Sequence, residues 1–192
     1  MSFALRPLVW LQLLLAWGLV GCEASPRAPV QLALGAGEPL VLTPKVAFAE
    51  YIELPGLRHE LRLTIADYEE ASCEAFVPPR EGQAMLSVVI ATPPAAPIVP
   101  GTYAWAGAEL RGSSASQQVH PVAEPLARVG EQSYLFEAGG GVQLQVVNLD
   151  AYGEVSGVLA FEAPAQAARG PTWIRGRFRA PICRSAPAPA PE

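Results

Sequence analysis

The residues that usually carry chemistry are scarce in this chain of 192 residues. It contains three cysteines and two histidines, and its only lysine is Lys45. A zinc site needs four ligands drawn mainly from cysteine and histidine, and we find no such set at ligand spacing. The formal net charge is −5, and it becomes −6 without Arg6 and the rest of the first 21 residues. This acidic balance argues against nucleic acid and against anionic lipid as partners.

Catalytic and nucleotide-binding motifs are also absent. No G-x-S-x-G occurs, and the serines at 113, 114 and 116 lie in a stretch predicted to be a loop. His59 begins a predicted strand, and His120 precedes a proline. The glycines 139–141 precede a predicted strand and lack the Lys-Ser/Thr of a phosphate-binding loop. We therefore predict no catalytic residue, no metal site and no cofactor, and a hydrolase of the envelope remains a minor alternative.

Residues 1–21 have the features of an export signal. Arg6 is followed by an apolar run from 8 to 20, which is shorter than a membrane-spanning helix needs. The run ends in Leu19-Val20-Gly21-Cys22, which resembles the lipobox of bacterial lipoproteins. The resemblance implies cleavage before Cys22 and attachment of acyl chains to that residue, which would anchor the protein to a membrane. In these families an aspartate after the cysteine favours the inner membrane, so Glu23 points to the outer membrane.

The whole chain divides into four predicted segments. Residues 1–21 are the predicted signal peptide, and 22–30 are the lipidated cysteine with a short tether. Residues 31–185 have the size of one domain. The Pro/Ala-rich residues 186–192 are expected to be disordered.

Two cysteines remain after lipidation of Cys22. In an oxidising compartment, an even pair in one exported domain predicts a disulfide between Cys73 and Cys183. Free thiols and a metal pair are the alternatives, but no histidine or cysteine lies at ligand spacing from either residue.

Groups of opposite charge surround these two cysteines. The acidic group is Asp67, Glu69, Glu70 and Glu74, and the basic group is Arg175, Arg177, Arg179 and Arg184. The acidic group lacks the glycine and the ligand order of an EF-hand, which disfavours calcium. One hypothesis is a polar recognition surface that binds an anionic group such as a phosphate or uronate, formed by Arg175, Arg177, Arg179, Asp67, Glu69 and Glu70. The other, which we favour, is that the two groups pair with each other at the surface, where each pair contributes about 0–1 kcal/mol.

Alternation with a period of two predicts antiparallel strands throughout the domain. The apolar positions of three such runs are Leu61, Leu63 and Ile65; Val142, Leu144 and Val146; and Ile174, Gly176 and Phe178. Residues 85–91 predict a more fully buried strand. Turns are predicted at 100–101 and 152–154, and the segments 133–137 and 142–149 are predicted to form a hairpin around the glycines. Only 67–76 has a pattern compatible with a helical turn. The predicted fold is all-β, either one antiparallel β-sandwich or a small β-barrel.

The second half resembles small β-rich bacterial lipoproteins, many of them from myxobacteria. The resemblance lies in Pro100-Gly101-Thr102-Tyr103, in the glycine-led strand at 141–144, in 155–159 and in 175–178 before Cys183. It covers about residues 98–183, and it implies a β-rich fold and an envelope location without implying an activity.

The aromatic residues allow two interpretations. They are Tyr103, Trp105, Tyr134, Phe136, Tyr152, Phe161 and Trp173. They could line a ligand cavity, but packing in the core is the commoner role of such residues in β proteins. We predict a non-enzymatic binding or assembly module with an envelope protein or a small ligand as partner. The alternative is a lipocalin-like carrier of an apolar ligand. That family has Gly-x-Trp in its first strand, whereas Gly101-Thr102-Tyr103 lies in mid-chain.

Overall fold

The structure is a computed structural model that describes residues 28–35, 38–54, 56–105, 122–135, 139–166 and 170–183. In these ranges the chain forms eleven β-strands. They are β1 (Val30–Leu34), β2 (Leu40–Leu42), β3 (Val46–Leu54), β4 (Arg58–Ala66), β5 (Ala84–Thr92), β6 (Gly101–Ala104), β7 (Val122–Val129), β8 (Gln132–Leu135), β9 (Gly139–Val147), β10 (Glu154–Gln166) and β11 (Gly170–Pro181). None of the described residues belongs to a helix long and apolar enough to cross a membrane.

The strands form two antiparallel sheets that pack face to face. Sheet I has the order β2-β1-β11-β10-β9-β6, and sheet II has the order β7-β5-β4-β3 with β8 on the other side of β7. A single parallel pair, Ala104 with Val122, joins β6 to β7. At the other side of the sandwich, Ala49 of β3 forms one isolated bridge with Ile182. The predicted all-β fold is confirmed as a sandwich, and the described strands do not close into a barrel.

Alternating apolar side chains from both sheets fill the space between them. Leu61, Leu63 and Ile65 of β4 are at most 1% exposed, and Ile174 of β11 is fully buried. Each fully buried side chain of this size contributes about 1.5–3 kcal/mol by leaving water. The strand predicted at 85–91 is confirmed as β5, and nearly all its residues are buried.

The predicted alternation of β9 is correct at Val142 and Leu144 and wrong at Val146, which is 44% exposed. Ser156 pairs with Val146, but the next residue of β10, Gly157, pairs with Leu144. One extra residue of β9 therefore lies between these pairs as a β-bulge, and it reverses the direction of the side chains that follow.

The predicted hairpin of 133–137 with 142–149 is wrong. β8 instead folds back on β7 through Gly130 and Glu131, and Gly130 has a φ of 56° that suits glycine in a tight turn. β9 pairs with β6 and β10. The glycines 139–141 belong to β9, where Gly140 and Gly141 allow the backbones of β10 and β6 to approach closely.

The segment 67–76 forms bends, and the predicted helical turn is wrong. Its apolar side chains pack on the outer face of sheet II in a second cluster. The members of that cluster are Phe48, Ala66, Tyr68, Ala71, Met85 and Cys183. The Tyr68 hydroxyl donates a hydrogen bond of 2.7 Å to the carbonyl of Val77. Burial, followed by the nearby Asp67 carboxylate, raises the pKa of Tyr68. Packing of this segment against the sheet thus replaces local helical bonding.

Candidate functional site

The predicted disulfide between Cys73 and Cys183 is present. The two Cα atoms lie 5.7 Å apart and 110 residues apart in the sequence. The Cys183 amide donates to the carbonyl of Ala49 over 2.6 Å, so the end of β11 is attached to β3 as well as to the segment 67–76. Cys22 and Arg184 lie outside the described residues.

Three arginines of β11 form a row on the outer face of sheet I. They alternate along β11 with Ile174, Gly176 and Phe178, and both Ile174 and Phe178 are buried in the core. The arginine side chains therefore project away from the core. Their strand neighbours on β10 are small: Ala160 lies opposite Arg175, Val158 opposite Arg177 and Ser156 opposite Arg179. Successive arginines are about 7 Å apart along the strand. We call this surface the arginine face and define it by Arg175, Arg177, Arg179, Ser156, Val158 and Ala160.

Two of the three guanidinium groups pair with glutamates of β10. Arg175 Nη2 lies 3.0 Å from Glu162 Oε2, and Arg179 Nε lies 2.7 Å from Glu154 Oε2. The hydrogen bond to Glu154 raises the pKa of Arg179. Arg177 is exposed and has no ion-pair partner among the described residues. All four paired side chains are well exposed, so each pair contributes about 0–1 kcal/mol.

The expected pairing of these arginines with the acidic group is therefore wrong for Arg175 and Arg179. Asp67 Oδ1 accepts a hydrogen bond of 2.8 Å from the Ala84 amide, and Glu69 and Glu70 are exposed. The acidic segment covers the outer face of sheet II, whereas the arginines lie on the outer face of sheet I. Because the packed core separates these two faces, the six residues proposed as one recognition surface form two surfaces.

The first described residues, 28–30, lie alongside the middle of β11. Ala28, which precedes β1, lines a small pocket on the core side of β11, together with Pro44, Ala47, Ile65, Phe178 and the neighbouring Arg177 and Arg179. The pairing of Val30 with Gly176 sets this position, since it brings the start of β1 alongside the middle of β11. Lys45 follows Pro44 and is also exposed.

His59 is held by two hydrogen bonds. Its Nε2 donates to the carbonyl of Pro94 over 3.0 Å, and its Nδ1 accepts from the Tyr51 hydroxyl over 2.8 Å. This arrangement fixes one tautomer and leaves neither ring nitrogen free to accept a proton from a nucleophile. His120 and the serines at 113, 114 and 116 lie outside the described residues.

The aromatic residues are distributed over separate parts of the sandwich. Tyr103 and Phe161 are buried in the core, and the Tyr103 hydroxyl donates to the carbonyl of Val99 over 2.7 Å. The Arg175 guanidinium lies over the ring of Trp173, 5.4 Å from the ring centroid. Tyr152 is 89% exposed. Phe136 lies outside the described residues. The predicted role of these aromatic residues in core packing is thus confirmed for Tyr103 and Phe161.

Two features were not anticipated from the sequence. A cleft of about 950 Å³ lies between residues 77–82 and residues 128–133, and Arg128 is among the residues that line it. The Arg128 guanidinium also lies over the ring of Phe76, 4.9 Å from the ring centroid. Glu60 is only 1% exposed although it lies on the outer face of sheet II, where its carboxylate is held between Arg58 and Arg62. The Arg-x-Glu-x-Arg pattern of 58–62, which places all three side chains on one face of a strand, is the signal that would have indicated this group.

Metal binding finds no support in the part of the chain that the structure describes. In these ranges no three side chains of His, Cys, Asp or Glu lie close enough together to hold an ion. Comparison of the chain with protein families, with curated proteins and with solved structures gives no match.

Proposed function

We propose that the protein is a lipid-anchored lipoprotein of the outer membrane that acts as a non-enzymatic binding or assembly module. The observation that carries this proposal is the sequence Leu19-Val20-Gly21-Cys22 at the end of a short apolar run. Glu23 supports the outer membrane over the inner one. The bond between Cys73 and Cys183 supports it too, because disulfides persist in oxidising compartments outside the cytoplasm.

A binding role is supported by the surface of the sandwich. The arginine face projects guanidinium groups into solvent, and charge-assisted hydrogen bonds from arginine to anionic groups are among the stronger polar contacts. His59 is not placed to act as a general base, because both of its ring nitrogens are engaged by Tyr51 and Pro94. Binding therefore accounts for the described side chains better than catalysis does.

The anchor is tested by replacing Cys22 with serine. Without the thiol no thioether to the lipid forms, so we expect the variant to move from the membrane fraction to the soluble fraction and to lose incorporation of labelled palmitate. The measurement is fractionation followed by immunoblotting, with Cys73→Ser/Cys183→Ser as the control that keeps Cys22. A Cys22→Ser protein that stays in the membrane fraction would contradict the proposal.

A further inference from the structure

A cleft lies at one end of sheet II, between the loop that leads into β5 and the hairpin of β7 and β8. Its volume of about 950 Å³ is within the range of about 300–1,000 Å³ found for ligand pockets. The Gly130 amide of the hairpin donates to the Gln83 carbonyl over 2.9 Å, and the side-chain oxygen of Gln83 accepts from the Arg80 amide over 2.8 Å. These bonds hold the two walls together, so the cleft is formed without a ligand.

Arg128 lines this cleft and lacks an acceptor for its donor groups among the described residues. Its guanidinium group is held over the ring of Phe76, and its Nε atom is buried without a hydrogen-bond partner in those residues. Buried donors in folded proteins are nearly always paired, and a guanidinium group carries five N–H donors. The arginines that do pair with a glutamate are Arg58, Arg62, Arg175 and Arg179. Arg128 thus places beside the cleft a cation with which no described carboxylate forms an ion pair.

The neighbours of Arg128 add one further donor and an apolar wall. Ser133 pairs with Arg128 across the hairpin and also lines the cleft, so its hydroxyl lies on the same face of the sheet as the guanidinium group. The loop on the other side contributes Val77, Pro78 and Pro79, and the two prolines have no amide hydrogen to donate. A ligand that fits must therefore accept hydrogen bonds at one end and present an apolar body at the other.

The charges around the cleft favour a single carboxylate over a more highly charged anion. Glu81 and Glu131 line the cleft together with Arg80 and Arg128, so their formal charges cancel. A phosphate group brings about 1.5–2 negative charges at neutral pH and would be repelled by the two glutamates. A carboxylate brings only one, and a guanidinium group can bind it through two parallel hydrogen bonds.

We propose that this cleft binds an organic acid that has one carboxylate and an apolar body. Arg128 pairs with the carboxylate, which supplies an acceptor to the guanidinium group, and the body packs on Val77, Pro78 and Pro79. The site is separate from the arginine face, which lies on sheet I, and it does not depend on the lipid anchor.

The probe for this site is 3-(4-fluorophenyl)propionate. Its binding to the full chain in dodecyl maltoside micelles is followed by fluorine NMR, with empty micelles as the blank. We expect saturable binding of the acid. Its amide, which keeps the apolar body and loses the charge, should bind more weakly by about tenfold or more, the effect of a hydrogen bond to a charged group. As competitors, acetate and phenyl phosphate should each displace the probe less well than 3-phenylpropionate by a similar factor.

Two substitutions locate the binding. Arg128→Met keeps an unbranched side chain over Phe76 and removes the charge, so it should weaken binding of the acid by about tenfold or more and leave binding of the amide unchanged. Arg177→Met, which removes an exposed arginine of sheet I, should change neither. Circular dichroism shows whether each variant is folded, and the comparison of acid with amide on the unaltered chain decides the matter if Arg128→Met is not. No saturable binding of the acid, equal binding of acid and amide, unweakened binding to folded Arg128→Met, or an equal loss with Arg177→Met would overturn the proposal.

Discussion

Replacing both Cys73 and Cys183 with serine is expected to lower the free energy of unfolding by about 4 kcal/mol. The bond links residues 110 positions apart. In the chain-entropy model a loop of that length restricts the unfolded state enough to contribute about 4–5 kcal/mol. The double variant is preferable to either single one, because a single replacement leaves a thiol that can pair with another molecule. Urea denaturation of the oxidised protein and of the variant measures the difference.

The local contacts of this disulfide add to the expected loss. Cys183 packs with Phe48 and Met85, and its amide bonds to the carbonyl of Ala49. Without the disulfide, only these contacts hold the residues after β11 against β3. Hydrogen exchange should therefore rise first at the amide of residue 183, which donates to Ala49. Cys22→Ser is the control, because it removes a cysteine and leaves the bridge intact. A loss of less than about 1 kcal/mol would contradict the assigned role of the bond.

Strands whose pattern is local were predictable from the sequence. The alternation of Leu61, Leu63 and Ile65 determines which face of β4 is buried, whatever strand lies beside it. The apolar run of β5 is bounded by turn residues and has a strand on both sides. The disulfide was predictable for a different reason, since only two cysteines remain once Cys22 is assigned to the lipid.

Pairing between strands was less predictable, because it depends on residues distant in the sequence. The glycines 139–141 fit a turn as well as a strand, and only the approach of β6 and β10 to β9 decides between these roles. The bulge that exposes Val146 arises in the same way, from the register of β10. Local glycine content therefore gave the wrong hairpin.

The surface residues illustrate the same limit. The outward direction of Arg175 and Arg179 follows from alternation along β11, and this much the sequence predicts. Their partners, Glu162 and Glu154, precede them by 13 and 25 residues on the neighbouring strand. The position of Ala28 alongside β11 depends on the pairing of β1 with β11, two strands from opposite ends of the domain. No local pattern indicates that pairing.

Gly141→Ala should cost about 3 kcal/mol of stability, because β6 packs directly against the backbone of β9 at this residue. A Cβ atom on Gly141 would lie 2.1 Å from the carbonyl oxygen of Tyr103 and 3.0 Å from the Cα of Ala104. Neither contact is with a flexible side chain, so the backbone of β6 must move away. β6 also pairs with β7 of the other sheet, through Ala104 and Val122, and its displacement would weaken that junction.

A second glycine of β9 provides a matched control for this variant. Gly139 lies in the same strand and on the same face, but a Cβ there would meet nothing closer than the carbonyl oxygen of Glu162, 4.0 Å away. Gly139→Ala should therefore change stability by less than about 1 kcal/mol. Both substitutions add one methyl group to one strand, so the contrast isolates the steric effect of β6 from the intrinsic preference of alanine in a strand. Urea midpoints that coincide for the two variants would show that β6 does not pack on β9 as closely as this geometry requires.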